Sequence, residues 1–238
     1  MKKWLLLPLV LITLYFTSKE NLDLFSEIPR GSEETASIAT LLEQKFTYLG
    51  QGSQIIAFAS TDGDHVLKVF KARHEKPFKF SRYLRSLCTK DKEQSTQKWT
   101  YKFQDTIRRY KMAFVYLKEE TGLIYLHFQK TPIPLPITLK GKKLDLSQYP
   151  FIIQKRAMLA PEYIKDHPEG VLQLKKFFKT RLEKGFSDPR QTLSTNYGFI
   201  GNKPIQIDPG KLEPFEGDPK EEIQKIHDRV DQWSLNLF

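Results

Sequence analysis

Thr61-Asp62-Gly63-Asp64 stands between two apolar runs of strand composition. Asp-Gly supplies the positive φ that a tight primed turn needs, so the flanking runs are joined as an antiparallel hairpin. The first run, Tyr48 to Ser60, is interrupted by Gly50-Gln51-Gly52, and the second, His65 to Phe70, carries Val66, Leu67, Val69 and Phe70. Tyr48 to Phe70 therefore predicts two antiparallel strands around a glycine-rich bend, followed by a third. The 238 residues suffice for one large domain or two lobes sharing a cleft. With 39% hydrophobic residues and 17 Phe, the chain can fill a core, which excludes wholesale disorder.

Helical spacing predicts the other elements. Ile38, Leu41, Leu42 and Phe46 predict a helix over Glu33 to Phe46, and Trp99, Phe103, Ile107, Tyr110, Phe114 and Leu117 predict a longer one ended by Thr121-Gly122. Leu123 to Gln129 and Phe151 to Gln154 read as strands, with a proline-rich connection and a short strand near Leu144 to Leu146 between them. Val171, Leu174, Phe178 and Leu182 predict a helix before Gly185. A hairpin follows: Asn196 to Ile200, a Gly201-Asn202 turn, Pro204 to Ile207, then Asp208-Pro209-Gly210. The last helix opens with Asp218 as cap and Pro219 at its first position.

The net charge is +10, which implies an anionic partner. Lys68 to Lys118 holds fifteen Lys/Arg against four Asp/Glu, about the whole surplus. No RNA-binding signature or zinc-finger spacing accompanies it, so nucleic acid is disfavoured against an anionic substrate or an anionic membrane surface. One cysteine, Cys88, excludes a disulfide framework, and five scattered histidines lack ligand spacing. Lys2 and Lys3 precede an apolar run from Trp4 to Phe16, shorter than a spanning helix needs and without a clean cleavage site. This run is expected to act as a membrane anchor or an export signal, and its lysines would send the rest of the chain outward.

Two constellations carry chemistry. Glycines in a bend between strands let backbone N–H groups approach a polyphosphate with no Cβ in the way, which singles out Gly50 and Gly52. Sixteen residues on, Lys68 sits among Val66, Leu67 and Val69, so a strand directs an ammonium towards a cleft where it needs a partner. Far along the chain, Asn196 precedes the late hairpin and Asp208 follows it. The turn brings these ends together, and a carboxylate with an amide oxygen suits the oxygen-rich, part-hydrated shell of Mg²⁺.

These residues, in this order, resemble the protein-kinase-like superfamily. Leu49-Gly50-Gln51-Gly52-Ser53 looks like its glycine-rich loop, Val66-Leu67-Lys68 like its strand lysine, Asn196 like its catalytic-loop asparagine and Asp208-Pro209-Gly210 like its metal motif. Ile55 replaces the loop's third glycine, Pro209 replaces the motif's phenylalanine, and no His-Arg-Asp is present. The nearest acid, Asp188, lies eight residues before Asn196, where the family has five. Glu93 and Asp105 are the candidates for the helix acid that would pair with Lys68.

The resemblance implies a two-lobed α+β fold with an antiparallel-sheet N-lobe over residues 33–155 and a small, mainly helical C-lobe over 156–238, behind an N-terminal segment (1–18) and a linker (19–32). It implies ATP and Mg²⁺ as cofactors. Gly50, Gly52 and Lys68 would bind the phosphates, Asn196 and Asp208 the metal, and Asp188 would serve as base. The expected activity is phosphoryl transfer to a lipid, sugar or small molecule, since only 28 residues follow Gly210. The alternatives are a pseudokinase that binds nucleotide without turnover, and a basic membrane-surface binding protein. The expected location is at a membrane or, alternatively, outside the cell.

Overall fold

The computed structural model describes residues 38–71, 92–190 and 192–237. The early hairpin forms as its turn chemistry demands. Strands β1 (Phe46–Gln51), β2 (Ile55–Ser60) and β3 (His65–Phe70) pair in antiparallel succession, and Gly63 takes φ +84°. The Asp62 carboxylate is held well below the usual range, first by the Ser60 hydroxyl and then by the Asp64 N–H.

Four more strands extend the sheet: β4 (Leu123–His127), β5 (Pro136–Leu139), β6 (Lys142–Asp145) and β7 (Phe151–Lys155). The order is β4-β7-β3-β2-β1-β5-β6. Neighbours run antiparallel, except for β1 and β5, which meet in parallel at Phe46 and Leu139. The β5–β6 hairpin occupies much of the expected proline-rich connection. Leu135, Ile137 and Leu139 are buried while Pro134, Pro136 and Thr138 are exposed, so a strand alternation runs through the prolines. Pro136 is the first residue of its strand, where the ladder tolerates a missing N–H.

The two faces of the sheet have different fates. Leu67 lies in register with Phe58 and Ile153, and all three belong to one core with Ile38, Leu42, Phe46, Ile137 and Leu139. Burial of this kind stabilises by about 1.5–3 kcal/mol per large side chain. Lys68 lies on the opposite face, in register with Ala57, which pairs Gly50, and with Ile152. Phe70 shares that face and receives helix α1 (Lys92–Tyr116), with its ring 5.7 Å from Phe103 and 5.8 Å from Tyr110, both edge to face.

Two expected boundaries move. The helix expected to reach Phe46 ends at residue 42, and Phe46 opens β1 instead. Ile38, Leu42 and Phe46 still share one core, so the apolar period spans a helix and a strand. Helix α1 starts at Lys92, before Trp99 where the expected apolar period begins, because its first turns are polar.

The short helix α2 (Lys118–Thr121) ends at Gly122, whose φ of +62° closes it before β4. After β7 come β8 (Met158–Leu159), helices α3 (Ala160–Asp166) and α4 (Gly170–Glu183), β9 (Phe186–Ser187) and a short helix α5 (Leu193–Asn196). The late hairpin, β10 (Tyr197–Ile200) and β11 (Lys203–Gln206), forms a three-stranded sheet with β8. Strand β12 (Glu213–Pro214) pairs β9, and α6 (Pro219–Ser234) closes the lobe, capped by the Asp218 carboxylate on Lys220 N at 2.8 Å. Leu174, Phe178, Tyr197, Phe199, Ile226 and Val230 are buried in this second core.

The location expected from the sequence is corrected: among the described residues no helix is long and apolar enough to cross a membrane. The Trp4 to Phe16 run, Cys88 and residues 72–91 of the basic stretch lie outside the described residues.

Candidate functional site

Strand β3 places the lysine. Successive residues face opposite sides of a strand, so Leu67 enters the first core and Lys68 reaches across from the sheet to the end of the late hairpin. Lys68 is 7% exposed, and its Nζ donates to the Ile207 carbonyl at 2.6 Å. Burial pulls its pKa down to about 8, and the Asp208 carboxylate opposes that fall. Asp208 forms no hydrogen bond with Lys68, so the ammonium rests on a carbonyl dipole and on the field of a nearby carboxylate.

The late hairpin brings its two ends together. Tyr197 lies in register with Gln206, and the ladder continues outward, with Ile207 N donating to Asn196 O at 2.7 Å and Asp208 N to the same oxygen at 3.4 Å. Gly198 permits this hairpin to form. A Cβ there would clash with the Met158 carbonyl and lie 2.9 Å from Ile207 Cδ1. Asn196 Oδ1 accepts from the Thr195 hydroxyl at 3.1 Å. Asp208 Oδ1 accepts from Gly210 N at 2.9 Å and from the Tyr110 hydroxyl at 3.1 Å. Asp208 Oδ2 has no hydrogen-bond partner among the described residues.

Helix α1 meets this end of the hairpin with residues that the sequence reading did not assign to the site. Tyr110 is wholly buried, and its hydroxyl is pushed well above its ordinary pKa, first by burial and then by the Asp208 charge. Arg109 donates to Gly210 O at 2.8 Å and to Glu213 at 2.6 Å. The expected helix acid is not found at Lys68: Asp105 pairs with Arg108 at 2.8 Å and Arg109 at 3.0 Å. The side chain of Glu93 lies outside the described residues. In the sequence Tyr110 reads only as one aromatic of the helix's apolar stripe, and Arg109 beside it carries no mark.

Gly50 sits two strands from Lys68 on the same rung, with Ala57 between them, so two small residues leave the sheet face open beside the ammonium. A Cβ on Gly50 or Gly52 would meet nothing within 4 Å, and neither takes a positive φ. Glycine at these positions is therefore required neither by packing nor by backbone strain. The loop is tied down at its base, where Lys71 Nζ donates to Gly52 O at 2.7 Å and Thr106 of α1 donates to Gln54 Oε1 at 3.0 Å.

Asp188 follows β9 and is fully buried. Its Oδ2 accepts from Gln206 Nε2 at 2.8 Å and from the Tyr197 hydroxyl at 3.3 Å, and its Oδ1 from Arg190 N at 3.0 Å. Gln206 Nε2 also lies 3.3 Å from Asp208 O, so one amide touches both acids' residues. The structure thus brings Lys68 beside Asp208 through the Ile207 carbonyl, joins Asn196 to Asp208 through the backbone and reaches Asp188 through Gln206, with Gly50 on the rung of Lys68. Among the described residues no cluster of three His, Cys, Asp or Glu side chains could enclose a metal alone.

No protein-family model matches the chain, and no curated protein matches it by sequence. Solved structures similar to it include the bifunctional kinase-methyltransferase WbdD, at 13% identity and TM-score 0.43 over 78% of this chain and 38% of that one. Others are Rv3197 from Mycobacterium tuberculosis in complex with erythromycin (13%, TM-score 0.37, 82% and 54%) and APH(2")-IIa with streptomycin and ATP (11%, TM-score 0.31, 82% and 76%). The chain spans little more than a third of the length of the WbdD structures. In the chain itself, a strand lysine and an acid closing a late hairpin stand where the antiparallel sheet joins the second, mainly helical core.

Proposed function

We propose that the chain binds ATP with Mg²⁺ in this crevice and transfers the terminal phosphoryl group to a hydroxyl of a small, non-peptide acceptor. The observation that carries the reading is Lys68: a buried ammonium, held by a carbonyl and lacking a carboxylate hydrogen bond, leaves positive charge for a polyphosphate. The open space over Gly50 and Gly52 admits phosphates on the same sheet face. Asn196 and Asp208 would hold Mg²⁺, and the donor set fits: one carboxylate oxygen without a hydrogen bond and one amide oxygen leave the remaining positions to phosphates and water. The metal would neutralise charge on the phosphates. Asp188 would take the acceptor's proton as the new oxygen–phosphorus bond forms, the bond to the bridging oxygen breaks and ADP leaves. The same proposal divides the chain into lobes at 33–155 and 156–238.

The acceptor class follows from the path after Gly210. Leu212 is buried at once and Glu213–Pro214 pairs directly with Phe186–Ser187, which leaves no extended segment there to hold a peptide. A second reading, nucleotide binding without turnover, is favoured by the complete burial of Asp188 and by the donors on both its oxygens. Phosphate release from ATP with Mg²⁺, measured beside nucleotide binding, separates the two. Binding with release, and loss of release by at least about 100-fold in Asp208→Ala, supports phosphoryl transfer. Binding without release supports the second reading. Unchanged nucleotide binding in both Lys68→Ala and Asp208→Ala overturns both.

A further inference from the structure

Arg181 is 1% exposed, inside the second core. Its guanidinium carbon lies 5.0 Å from the Phe178 ring centroid and 5.9 Å from those of Phe177 and Tyr197. Nε and Nη2 have no hydrogen-bond partner among the described residues. Nη1 makes two bonds, to the Tyr197 hydroxyl at 2.8 Å and to Gln206 Oε1 at 3.1 Å. Those two groups are the ones that reach Asp188 Oδ2, at 3.3 and 2.8 Å. The four side chains close a ring in which two neutral relays link a buried cation to a buried acid.

The ring has one possible polarity. A guanidinium only donates. Tyr197 must therefore accept from Arg181, which leaves its hydrogen for Asp188. Gln206 must turn its oxygen to Arg181, which aims its amide hydrogens at Asp188. The ionised Asp188 carboxylate only accepts, so it imposes the same direction from the other end. A wholly buried cation with two unpaired nitrogens is costly, and an apolar side chain of similar volume would satisfy the aromatic box at least as well. What the guanidinium adds is an end that cannot accept: with it in place neither relay can reverse, whatever stands at position 188.

We infer that Arg181 is a positioning residue: acting through Tyr197 and Gln206, it fixes Asp188 Oδ2 as a double acceptor and holds that carboxylate in register with the hairpin end that carries Asp208. The role rests on the phosphoryl-transfer reading only for its kinetic consequence; the ring itself is tested without turnover.

The test is a thermal-denaturation cycle on the full chain with Asp188→Asn, Arg181→Met and the double variant. Asparagine faces donors whichever way its amide turns, Arg190 N on one side and the two relays on the other, and only the relays can reverse to accept its N–H₂, once Arg181 is gone. Asp188→Asn is therefore expected to lower Tm by about 3–6 °C more in the wild-type background than in Arg181→Met. Additive losses overturn the inference. The second arm uses ATP with Mg²⁺ and phosphate release. Arg181→Met is expected to lower kcat at least about 10-fold with nucleotide Kd unchanged, and Arg181→Lys, which keeps a charged donor, to recover part of it. Equal changes in kcat and Kd, or no recovery by lysine, count against positioning. If the wild-type protein releases no phosphate, the transfer reading fails while the thermal cycle still decides the ring.

Discussion

Lys68 Nζ donates to Ile207 O at 2.6 Å, across 139 positions of sequence. This one bond joins the early sheet to the late hairpin at the residue before Asp208. It also explains why an ammonium can be buried without a carboxylate hydrogen bond: the Ile207 carbonyl accepts it directly, and the Asp208 charge stands beside it. The arrangement is poised for an anion, because the strongest compensation for that cation is not yet a contact.

Replacing the cation should separate binding from folding. Lys68→Met removes a buried charge and keeps the apolar stem, so Tm is expected to hold or rise. Nucleotide-induced stabilisation should disappear in the same variant. Differential scanning calorimetry with and without ATP checks both halves, and an undiminished nucleotide shift in Lys68→Met contradicts the assignment.

The lowered pKa of Lys68 gives a pH signature with a definite sign. Folded Lys68 titrates at about 8 against 10.5 for the ordinary side chain. Between these values the unfolded chain binds more protons, so this group's contribution to stability rises with pH across that window, by on the order of 3 kcal/mol in full. A bound triphosphate favours the charged form, so ATP affinity should fall as pH rises through about 8. Titration calorimetry from pH 7 to 9.5 reads that fall; the affinity of Lys68→Met should be weak and flat over the same range.

Tyr110→Phe removes a wholly buried hydroxyl that donates to Asp208 Oδ1, while Gly210 N still holds that oxygen. The expected cost is about 1 kcal/mol, which is about 2–4 °C in Tm for a chain of this size. Mg²⁺-dependent nucleotide stabilisation should weaken more than the metal-free part, since the hydroxyl orients the candidate metal ligand. A thermal-shift series with and without EDTA tests the difference.

Gly198→Ala tests the hairpin. Its Cβ would press on the Met158 carbonyl and on Ile207 Cδ1, forcing β10 away from β8 or the hairpin ends apart. A loss of about 2–3 kcal/mol is expected. Urea unfolding measures it, and a neutral result would mean that the close approach of β8 is not part of the fold in solution.

The sequence made the local half of this account legible. Asp62-Gly63 marked its hairpin, and the Gly201-Asn202 turn placed Asn196 and Asp208 at one end of another, because tight turns dictate pairing within a few residues. Lys68 was legible as a charge on an apolar strand. Long-range partners were not. Nothing local distinguishes Tyr110 from any aromatic on a core-facing stripe, or Arg181 from a surface arginine on α4, because their roles depend on what folding brings against them. The burial of Asp188 had no local signal either: a loop acid before a strand is ordinarily solvated, and here Tyr197 and Gln206 enclose it. The β5–β6 hairpin hid behind its prolines because a strand tolerates one at its first position.

The central claim is that the Lys68–Asp208 crevice is a nucleotide site, and titration calorimetry of ATP with Mg²⁺ into wild type, Lys68→Met and Asp208→Ala tests it most directly. The account predicts saturable, one-to-one binding to wild type, at least about 10-fold weaker binding in each variant, and a metal requirement that Asp208→Ala loses. No heat of binding to folded wild-type protein at millimolar nucleotide, or equal affinity in all three proteins, would contradict it.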